Sequence, residues 1–252
     1  MRNRTGESSY SLTRESPAAG ALAARRPLAT MTVPSVVPPE AVALFGDGLP
    51  RAQQFHRMLA TDGVVRGLIG PREVARLWER HIDNCAVVAD LLPEGARVVD
   101  VGSGAGLPGL AMAIRRPDLR VDLVEPLLRR YELLTEAVSA LELSDTVRVV
   151  RGRAEDQLVI EEIGHADWVT ARALAPLDRL VGWCLPLLRP GGRLLAIKGA
   201  TAVAEAEQFA PVIRGLGGTD VDVVQCGAGL ITEPTTVVVI RRSTAAGKRG
   251  QR

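Results

Sequence analysis

Aromatic residues are scarce in this chain and make up only 3% of its 252 residues. A surface on which several unstacked bases lie against aromatic rings is therefore not expected, so any contact with a nucleic acid would depend on Arg and Lys. The excess of positive charge is also small, because 31 basic residues face 29 acidic ones and the formal net charge is +2. This charge permits a nucleic-acid partner without indicating one.

Cysteines and long apolar runs are also few. Cys85, Cys184 and Cys226 lie in separate segments, without a CxxC pair or a His at metal-ligand spacing, which indicates reduced, buried thiols and no metal site. No apolar run approaches the roughly 20 residues that span a bilayer, and the run around Ala18 to Ala24 is too short for a signal core. We therefore expect a cytoplasmic protein that is neither inserted in a membrane nor exported.

The two ends of the chain differ in composition from its middle. Residues 1–39 are rich in Ser, Arg, Ala and Pro without apolar periodicity, which predicts a disordered tail. Met31 lies in this tail and is a candidate for the natural start. Residues 242–252 contain no acidic residue and predict a basic C-terminal tail.

Between the tails, helical periodicity comes first and strand-like runs follow. Residues 40–92 predict an N-terminal helical cap, with helices at Pro39–Phe45, Pro50–Ala60 and Pro71–Leu91. Residues 93–241 predict one main domain. Its short apolar runs predict seven strands, at Arg97–Val101, Arg120–Glu125, Val147–Val150, Trp168–Ala171, Arg193–Lys198, Val221–Cys226 and Thr235–Arg241.

The spacing of these strands predicts their topology. The first five alternate with helical segments, which requires right-handed crossovers and a mostly parallel sheet. Only Gly227–Pro234 separates the last two, and this link is too short for a helical crossover, so we expect a terminal antiparallel hairpin. This layout predicts an α/β, Rossmann-like class I methyltransferase fold and not the all-parallel dinucleotide-binding fold.

A glycine-rich loop joins the first predicted strand to a helix. Gly102, Gly104 and Gly106 let backbone amides approach a ligand where a Cβ would collide. The segment Gly104–Gly109 also has the GxGxxG spacing of a nicotinamide-binding loop. The loop alone therefore leaves a nicotinamide-dependent oxidoreductase open.

Acidic residues at successive strand ends favour one of these ligands. Asp100 ends the first strand and suits a cationic sulfonium better than a pyrophosphate. Glu125 ends the second strand and can accept hydrogen bonds from both ribose hydroxyls. Glu155 follows the third strand, where it and the amide of Ala154 can read an adenine edge. Together they predict S-adenosylmethionine as the bound methyl donor, against the alternative that these acids only cap loops and helices.

The segment after the fourth strand bears on the acceptor. Asp167–Ala173 lacks the Asn/Asp-Pro-Pro-aromatic motif of exocyclic-amine methylation, and Cys184 lies in a helical segment where it does not fit a nucleophile. Guanine N7 requires no base because its lone pair carries no proton, so positioning alone can supply the rate. A methyltransferase acting on a small molecule or a protein, and a non-catalytic RNA-binding protein, remain alternatives.

The chain resembles the bacterial RsmG (GidB) family, in its actinobacterial form, in five segments: Val98–Gly109, Leu123–Arg130, Arg151–Glu155, Thr170–Ala173 and Ala196–Gly199. The resemblance implies an S-adenosylmethionine-dependent enzyme that methylates guanine N7 in 16S rRNA. We expect the target to lie in the decoding region, within the 30S subunit or its precursor, and the enzyme to act as a monomer without a membrane partner.

The resemblance also implies roles for individual residues. The implied donor contacts are Gly102, Leu107, Ala154, Glu155 and Arg172. The basic residues that it places near the RNA are Arg129, Arg130 and Lys198, and the cap retains Arg80 and His81. Arg172 could hold an rRNA phosphate, the guanine O6 and N7 edge or the methionine carboxylate, or it could be a surface charge. Solvated charges are the alternative for the other basic residues, and helix packing is the alternative for His81.

Two cap segments depart from the family pattern. Gly67–Ile69 stands where the family commonly has Asn-Leu-Thr, and His81–Cys85 stands where it has His-Ile-x-Asp-Ser. Asn84 thus replaces a carboxylate, which speaks against a charged role at that position.

Overall fold

A computed structural model describes residues 36–244 of the chain. The predicted N-terminal tail, with the candidate start at Met31, lies almost wholly outside the described residues. The predicted basic C-terminal tail also lies outside them, except for residues 242–244.

Seven strands form the central sheet: β1 (Arg97–Val101), β2 (Arg120–Val124), β3 (Val147–Val150), β4 (Ala166–Arg172), β5 (Leu188–Lys198), β6 (Gly218–Cys226) and β7 (Thr235–Arg242). Their order is β3-β2-β1-β4-β5-β7-β6. Strands β1 to β5 pair in parallel, and β7 runs antiparallel to both β5 and β6. The predicted α/β fold, with a mostly parallel sheet and an antiparallel hairpin at one end, is confirmed.

The largest difference from the predicted strand bounds is at β5, which begins five residues before Arg193. Pro190, Gly191 and Gly192 resemble a turn, but they continue the strand through an irregularity in its pairing with β4. A Cβ on Gly192 would lie 2.9 Å from the Asp167 carbonyl oxygen. The two backbones therefore approach closely here because this residue is glycine.

The described residues include eight α-helices: α1 (Pro39–Phe45), α2 (Leu49–Met58), α3 (Asp83–Ala86), α4 (Gly109–Arg115), α5 (Leu128–Ala140), α6 (Gln157–Ile163), α7 (Leu177–Cys184) and α8 (Ala202–Gly215). Helices α4 and α5 share a core with one face of the sheet, and α6, α7 and α8 share a core with the other face. Val98 and Val99 of β1 point to opposite cores, as strand alternation requires. None of the helices within residues 36–244 is long and apolar enough to cross a bilayer.

The cap is helical but less regular than its sequence predicted. Pro71–Leu91 is a succession of 3₁₀ and π-type turns around the short α3 and not one continuous helix. The break lies at Arg76, whose φ of −117° and ψ of 12° are outside the helical region. Trp78, Ile82 and Cys85 of this segment are nevertheless buried in the same core as α4. Packing on the sheet thus overrides regular helix geometry here.

All three cysteines are free and buried, as the sequence predicted. Burial raises the pKa of the Cys184 thiol above its ordinary value. Burial also raises the pKa of Cys226, to about 11. These two thiols are therefore unreactive members of the core.

Candidate active site

The loop between β1 and α4 holds three glycines with positive φ: Gly102 at +71°, Gly104 at +56° and Gly106 at +92°. A Cβ on Gly102 would lie 2.6 Å from Leu174, and one on Gly106 would lie 2.4 Å from Leu110. A Cβ on Gly104 would instead have the Gly102 carbonyl oxygen, 3.8 Å away, as its nearest described neighbour. The backbone at Gly104 therefore borders open space that a ligand can enter.

Asp100 lies at the end of β1 and is completely buried. Its Oδ2 accepts a hydrogen bond from the N–H of Gly109, at 3.0 Å, whereas its Oδ1 is buried and has no hydrogen-bond partner among the described residues. Burial raises the pKa of Asp100 to about 7, and the Gly109 amide opposes this rise. A cation beside the unpartnered oxygen would offset part of the desolvation cost, so the residue fits a positively charged ligand.

Glu125 follows β2, and only 2% of its surface is exposed. One carboxylate oxygen accepts the N–H of Gly104 and the other accepts the N–H of Leu127, each at 3.0 Å. Glu125 therefore stabilises the glycine loop, which agrees with the alternative that this acidic residue caps a loop. A carboxylate has about four acceptor positions, so these two bonds leave capacity for ribose hydroxyls.

The segment after β3 forms one side of a cleft of about 110 Å³, opposite Gly102 and Leu174. Ala154 is buried, and the side chain of Glu155 is 41% exposed, with one oxygen 3.6 Å from Arg153. The cleft thus brings the predicted adenine-side residues next to the glycine loop. Leu107 is buried, and its N–H donates to the Ser103 carbonyl at 3.1 Å.

Arg172, at the end of β4, is held by the cap. Its Nη2 lies 2.6 Å from His81 Nδ1, and its Nη1 lies 2.9 Å from Cys85 Sγ. The two nitrogens also donate to the backbone carbonyls of Arg80 and His81, each at 3.4 Å. Four contacts to the cap fix this guanidinium, so it is not a freely solvated charge.

A cavity of about 510 Å³ opens at the carboxyl ends of β4 and β5, and we call it the acceptor cavity. The cap, the strand ends and the β6–β7 link all contribute to its wall, which includes Arg80, Asn84, Arg172, Lys198, Glu233 and Thr235. Three of these side chains are basic. The structure brings Arg80 and Lys198, two of the predicted RNA contacts, into one wall with Arg172, a predicted donor contact. The contact of these residues with RNA stays a prediction.

Lys198 is the most constrained of these basic residues, with its side chain 11% exposed. Its Nζ lies 2.8 Å from Glu205 in α8 and donates to the Ala175 carbonyl at 2.9 Å. The hydrogen bond from Lys198 lowers the pKa of Glu205 below its ordinary value. Lys198 therefore joins the segment after β4 to α8 at the edge of the cavity.

Arg129 and Arg130 lie apart from the acceptor cavity, in the first turn of α5. Both are exposed, and they follow Leu127 and Leu128, whose exposed fractions are 53% and 46%. Helix α5 follows β2, which β1 separates from β4. These two arginines therefore lie on the donor side of the site.

One residue in the environment of the site was missed by the sequence predictions. Glu73 Oε2 lies 2.9 Å from His81 Nε2, and its side chain is 41% exposed. No motif marks this glutamate, and the irregular turns between the two residues do not follow helical spacing. Only the folded cap reveals the contact.

Residues 49–234 match the model of the GidB family, described as rRNA small subunit methyltransferase G. The chain belongs to this family. The resemblance found in five sequence segments is thereby confirmed.

Curated relatives of this chain bear the name ribosomal RNA small subunit methyltransferase G, and three of them illustrate the similarity. The protein from Salinispora arenicola is 57% identical over 83% of this chain and 90% of its own length. The protein from Corynebacterium efficiens is 54% identical over 84% of this chain and 90% of its own length. The protein from Mycobacterium sp. strain JLS is 51% identical, with coverages of 85% and 94%. These relatives agree with the predicted actinobacterial form of the family.

Solved structures support the fold alone. The mitomycin 7-O-methyltransferase MmcR has a TM-score of 0.53 at 21% identity, covering 75% of this chain and 60% of that one. A SAM-dependent O-methyltransferase from Thermotoga maritima has a TM-score of 0.51 at 14% identity, covering 70% and 72%. Their likeness confirms the methyltransferase fold and says nothing about the acceptor.

Proposed function

We propose that this chain transfers a methyl group from S-adenosylmethionine to N7 of a guanine in the decoding region of 16S rRNA, within the 30S subunit or its precursor. The observation that carries the proposal is the acceptor cavity, whose wall includes three basic side chains and which opens one strand away from the glycine loop. Family membership and the names of the relatives support an rRNA acceptor.

Residues of the glycine loop and its neighbours fit the donor. S-adenosylmethionine supplies, when bound, an activated methyl group on a positively charged sulfonium. Asp100 offers a buried, unpartnered oxygen to that positive charge, and Gly104 leaves room for the ligand against bare backbone. In this proposal Glu125 accepts hydrogen bonds from the ribose hydroxyls, and Glu155 with the amide of Ala154 binds the adenine edge.

In this proposal the acceptor cavity delivers a base to this donor. Strand β4 pairs directly with β1, and neighbouring strands lie about 4.8 Å apart. A base that enters between Arg80 and Arg172 therefore arrives beside the end of the glycine loop. The cap contacts engage Nη1 and Nη2 of Arg172. Of the five guanidinium N–H groups, the one on Nε is thus the donor left in this proposal for the guanine O6 edge or the adjoining phosphate.

Guanine N7 suits such a site because its lone pair lies in the plane of the ring and carries no proton. The protein has to align this lone pair with the methyl group and exclude water, and no side chain has to remove a proton. A methyltransferase for a small molecule would favour a closed, apolar acceptor pocket. The three basic side chains in the wall of this cavity favour RNA over that alternative.

The proposal is tested by incubating purified 30S subunits that lack the modification with labelled S-adenosylmethionine, followed by base-resolved mapping of N7-methylguanine. We expect label at one guanine N7 of the decoding region in assembled subunits. Protein-free 16S rRNA and a panel of small-molecule methyl acceptors are the controls. Label on a small molecule, or none on guanine N7, would show that the proposed acceptor is wrong.

A further inference from the structure

Three side chains connect the exposed side of the cap to the acceptor cavity. Glu73 contacts His81 Nε2 at 2.9 Å, and His81 Nδ1 contacts Arg172 Nη2 at 2.6 Å. Arg172 lines the cavity, whereas Glu73 is not among the residues of its wall. Glu73 is therefore linked to the cavity by its hydrogen bond to His81, and its charge also acts on Arg80 in the wall.

The chemistry of the two contacts fixes the proton on His81. A guanidinium has donors and no acceptor, so Nδ1 must accept from Arg172 and carries no proton. The proton of the neutral ring is then on Nε2, which donates to the carboxylate of Glu73. Burial lowers the pKa of His81 from 6.5, and Arg172 acts in the same direction while Glu73 opposes it. The ring is therefore neutral at pH 7.

The imidazole is the strongest of the partners that Arg172 has in the cap. The two backbone carbonyls are at 3.4 Å, near the limit for a hydrogen bond. The thiol of Cys85 is a weak acceptor. The orientation of the guanidinium thus depends mainly on the nitrogen that His81 presents to it.

We propose that Glu73 and His81 are positioning residues, which hold the guanidinium of Arg172 against the wall of the acceptor cavity so that it can bind the RNA. The inference rests on the proposed function, because it takes Arg172 to face the RNA. Without Glu73, only the contact with Arg172 still favours the proton on Nε2, so the form with hydrogen on Nδ1 becomes more accessible. The ring with hydrogen on Nδ1 would turn a donor toward the donors of Arg172 and release it.

Two substitutions of Glu73 test this role by activity. Glu73→Ala removes the acceptor for Nε2–H, and we expect kcat/KM for 30S subunits to fall about tenfold, since a misplacement of about 1 Å can cost about a hundredfold. Glu73→Gln keeps an acceptor oxygen and should recover most of this loss. The Kd of S-adenosylmethionine should stay as in the wild type for both. The matched control is Glu79→Gln, another exposed cap glutamate, which lies 3.9 Å from Arg76 and should leave kcat/KM unchanged.

The pH profile separates positioning from a general structural role. The charged groups that face His81 are Glu73 and Arg80 from the cap and Arg172 from β4. Protonation of His81 places a hydrogen on Nδ1 against Arg172, so kcat/KM should fall as the pH drops through the pKa of His81, below 6.5. Because the charge of Glu73 raises that pKa, Glu73→Gln should move the acidic limb to lower pH. A purely structural effect would reduce activity without moving the limb.

Proton placement can be measured without any substrate. The chain has three histidines, so ¹⁵N-resolved imidazole spectra, with His81 assigned from His81→Gln, give its tautomer. We expect the Nε2–H form at pH 7.5 in the wild type and a mixture of forms in Glu73→Ala. A hydrogen on Nδ1 in the wild type would overturn the proposal, whether or not the protein methylates RNA.

Two kinetic outcomes would refute a positioning role of Glu73. Wild-type kcat/KM in Glu73→Ala, or a weaker S-adenosylmethionine affinity that accounts for the whole loss, would refute positioning on the RNA side. If the wild type labels no 30S RNA, the proposed function fails, while the spectra still decide whether Glu73 sets the proton on His81.

Discussion

Replacement of Gly104 by alanine tests whether the donor binds in the open space beside the glycine loop. The added Cβ would have the Gly102 carbonyl oxygen, at 3.8 Å, as its nearest described neighbour, and the φ of Gly104 is +56°. The alanine therefore lowers the free energy of unfolding by about 1 kcal/mol, the strain of a left-handed residue, and adds no steric overlap. The Cβ would occupy space that the donor needs in our proposal. We expect the Kd of S-adenosylmethionine to rise at least about tenfold, or about 1.4 kcal/mol.

Gly109→Ala is the matched contrast on the protein side of the same loop. Its Cβ would lie 2.3 Å from Leu123 Cδ2 and 2.8 Å from Asp100 Oδ2, both buried. Overpacking of this kind costs about 1 to 3 kcal/mol. We therefore expect Gly109→Ala to lose more stability than Gly104→Ala.

The two variants are compared by urea unfolding without ligand and by titration calorimetry with S-adenosylmethionine. The expected pattern is a folded Gly104→Ala protein with weak donor binding and a less stable Gly109→Ala protein. Wild-type donor affinity in a folded Gly104→Ala protein would refute the placement of the donor against this loop. A larger stability loss in Gly104→Ala than in Gly109→Ala would refute the assignment of open space beside it.

Three further substitutions test other parts of the structure. Burial raises the pKa of Asp83 from 3.8 to about 7, so the free energy of unfolding falls as the pH rises between these two values. Asp83→Asn should stabilise the protein at pH 8 by up to about 4 kcal/mol, because each pKa unit corresponds to about 1.4 kcal/mol. At pH 4 the gain should be much smaller. Equal gains in urea unfolding at both pH values would contradict this. Lys198→Met leaves Glu205 without its 2.8 Å partner and should cost about 2 kcal/mol; a double-mutant cycle with Glu205→Gln should show coupling, and strict additivity would count against it. Replacing Arg129 and Arg130 together by alanine should weaken RNA binding and leave donor affinity unchanged. The slope of log K for RNA against log salt concentration should become shallower by about two. An unaltered slope would place both arginines away from the RNA.

The parts of the fold with strong local signals could be predicted from the sequence. Strands β1 and β3 have the predicted bounds, because each is a short apolar run between polar turns. The glycine loop was equally clear, since its glycines have positive φ values that other residues rarely adopt. The start of β5 was not predictable, because Pro190, Gly191 and Gly192 favour a turn locally and continue the strand only through pairing with β4.

The surroundings of Arg172 show why the remainder of the site needed the structure. The sequence places this arginine at the end of β4, but His81 and Cys85, which hold it, are about ninety residues earlier in the chain. Glu73 joins them only because packing breaks the predicted cap helix at Arg76. Local periodicity carries no information about contacts over such distances. The sequence allowed Arg172 to be a free surface charge, whereas in the structure His81 and Cys85 hold its guanidinium.

The most direct test of the account is a crystal structure with S-adenosylhomocysteine, the demethylated donor. We predict its adenosine between Glu125 and the Ala154–Glu155 segment, its sulfur near Asp100, and its chain against Gly102 and Gly104. A well-ordered ligand bound elsewhere, with no density beside these glycines, would contradict the account.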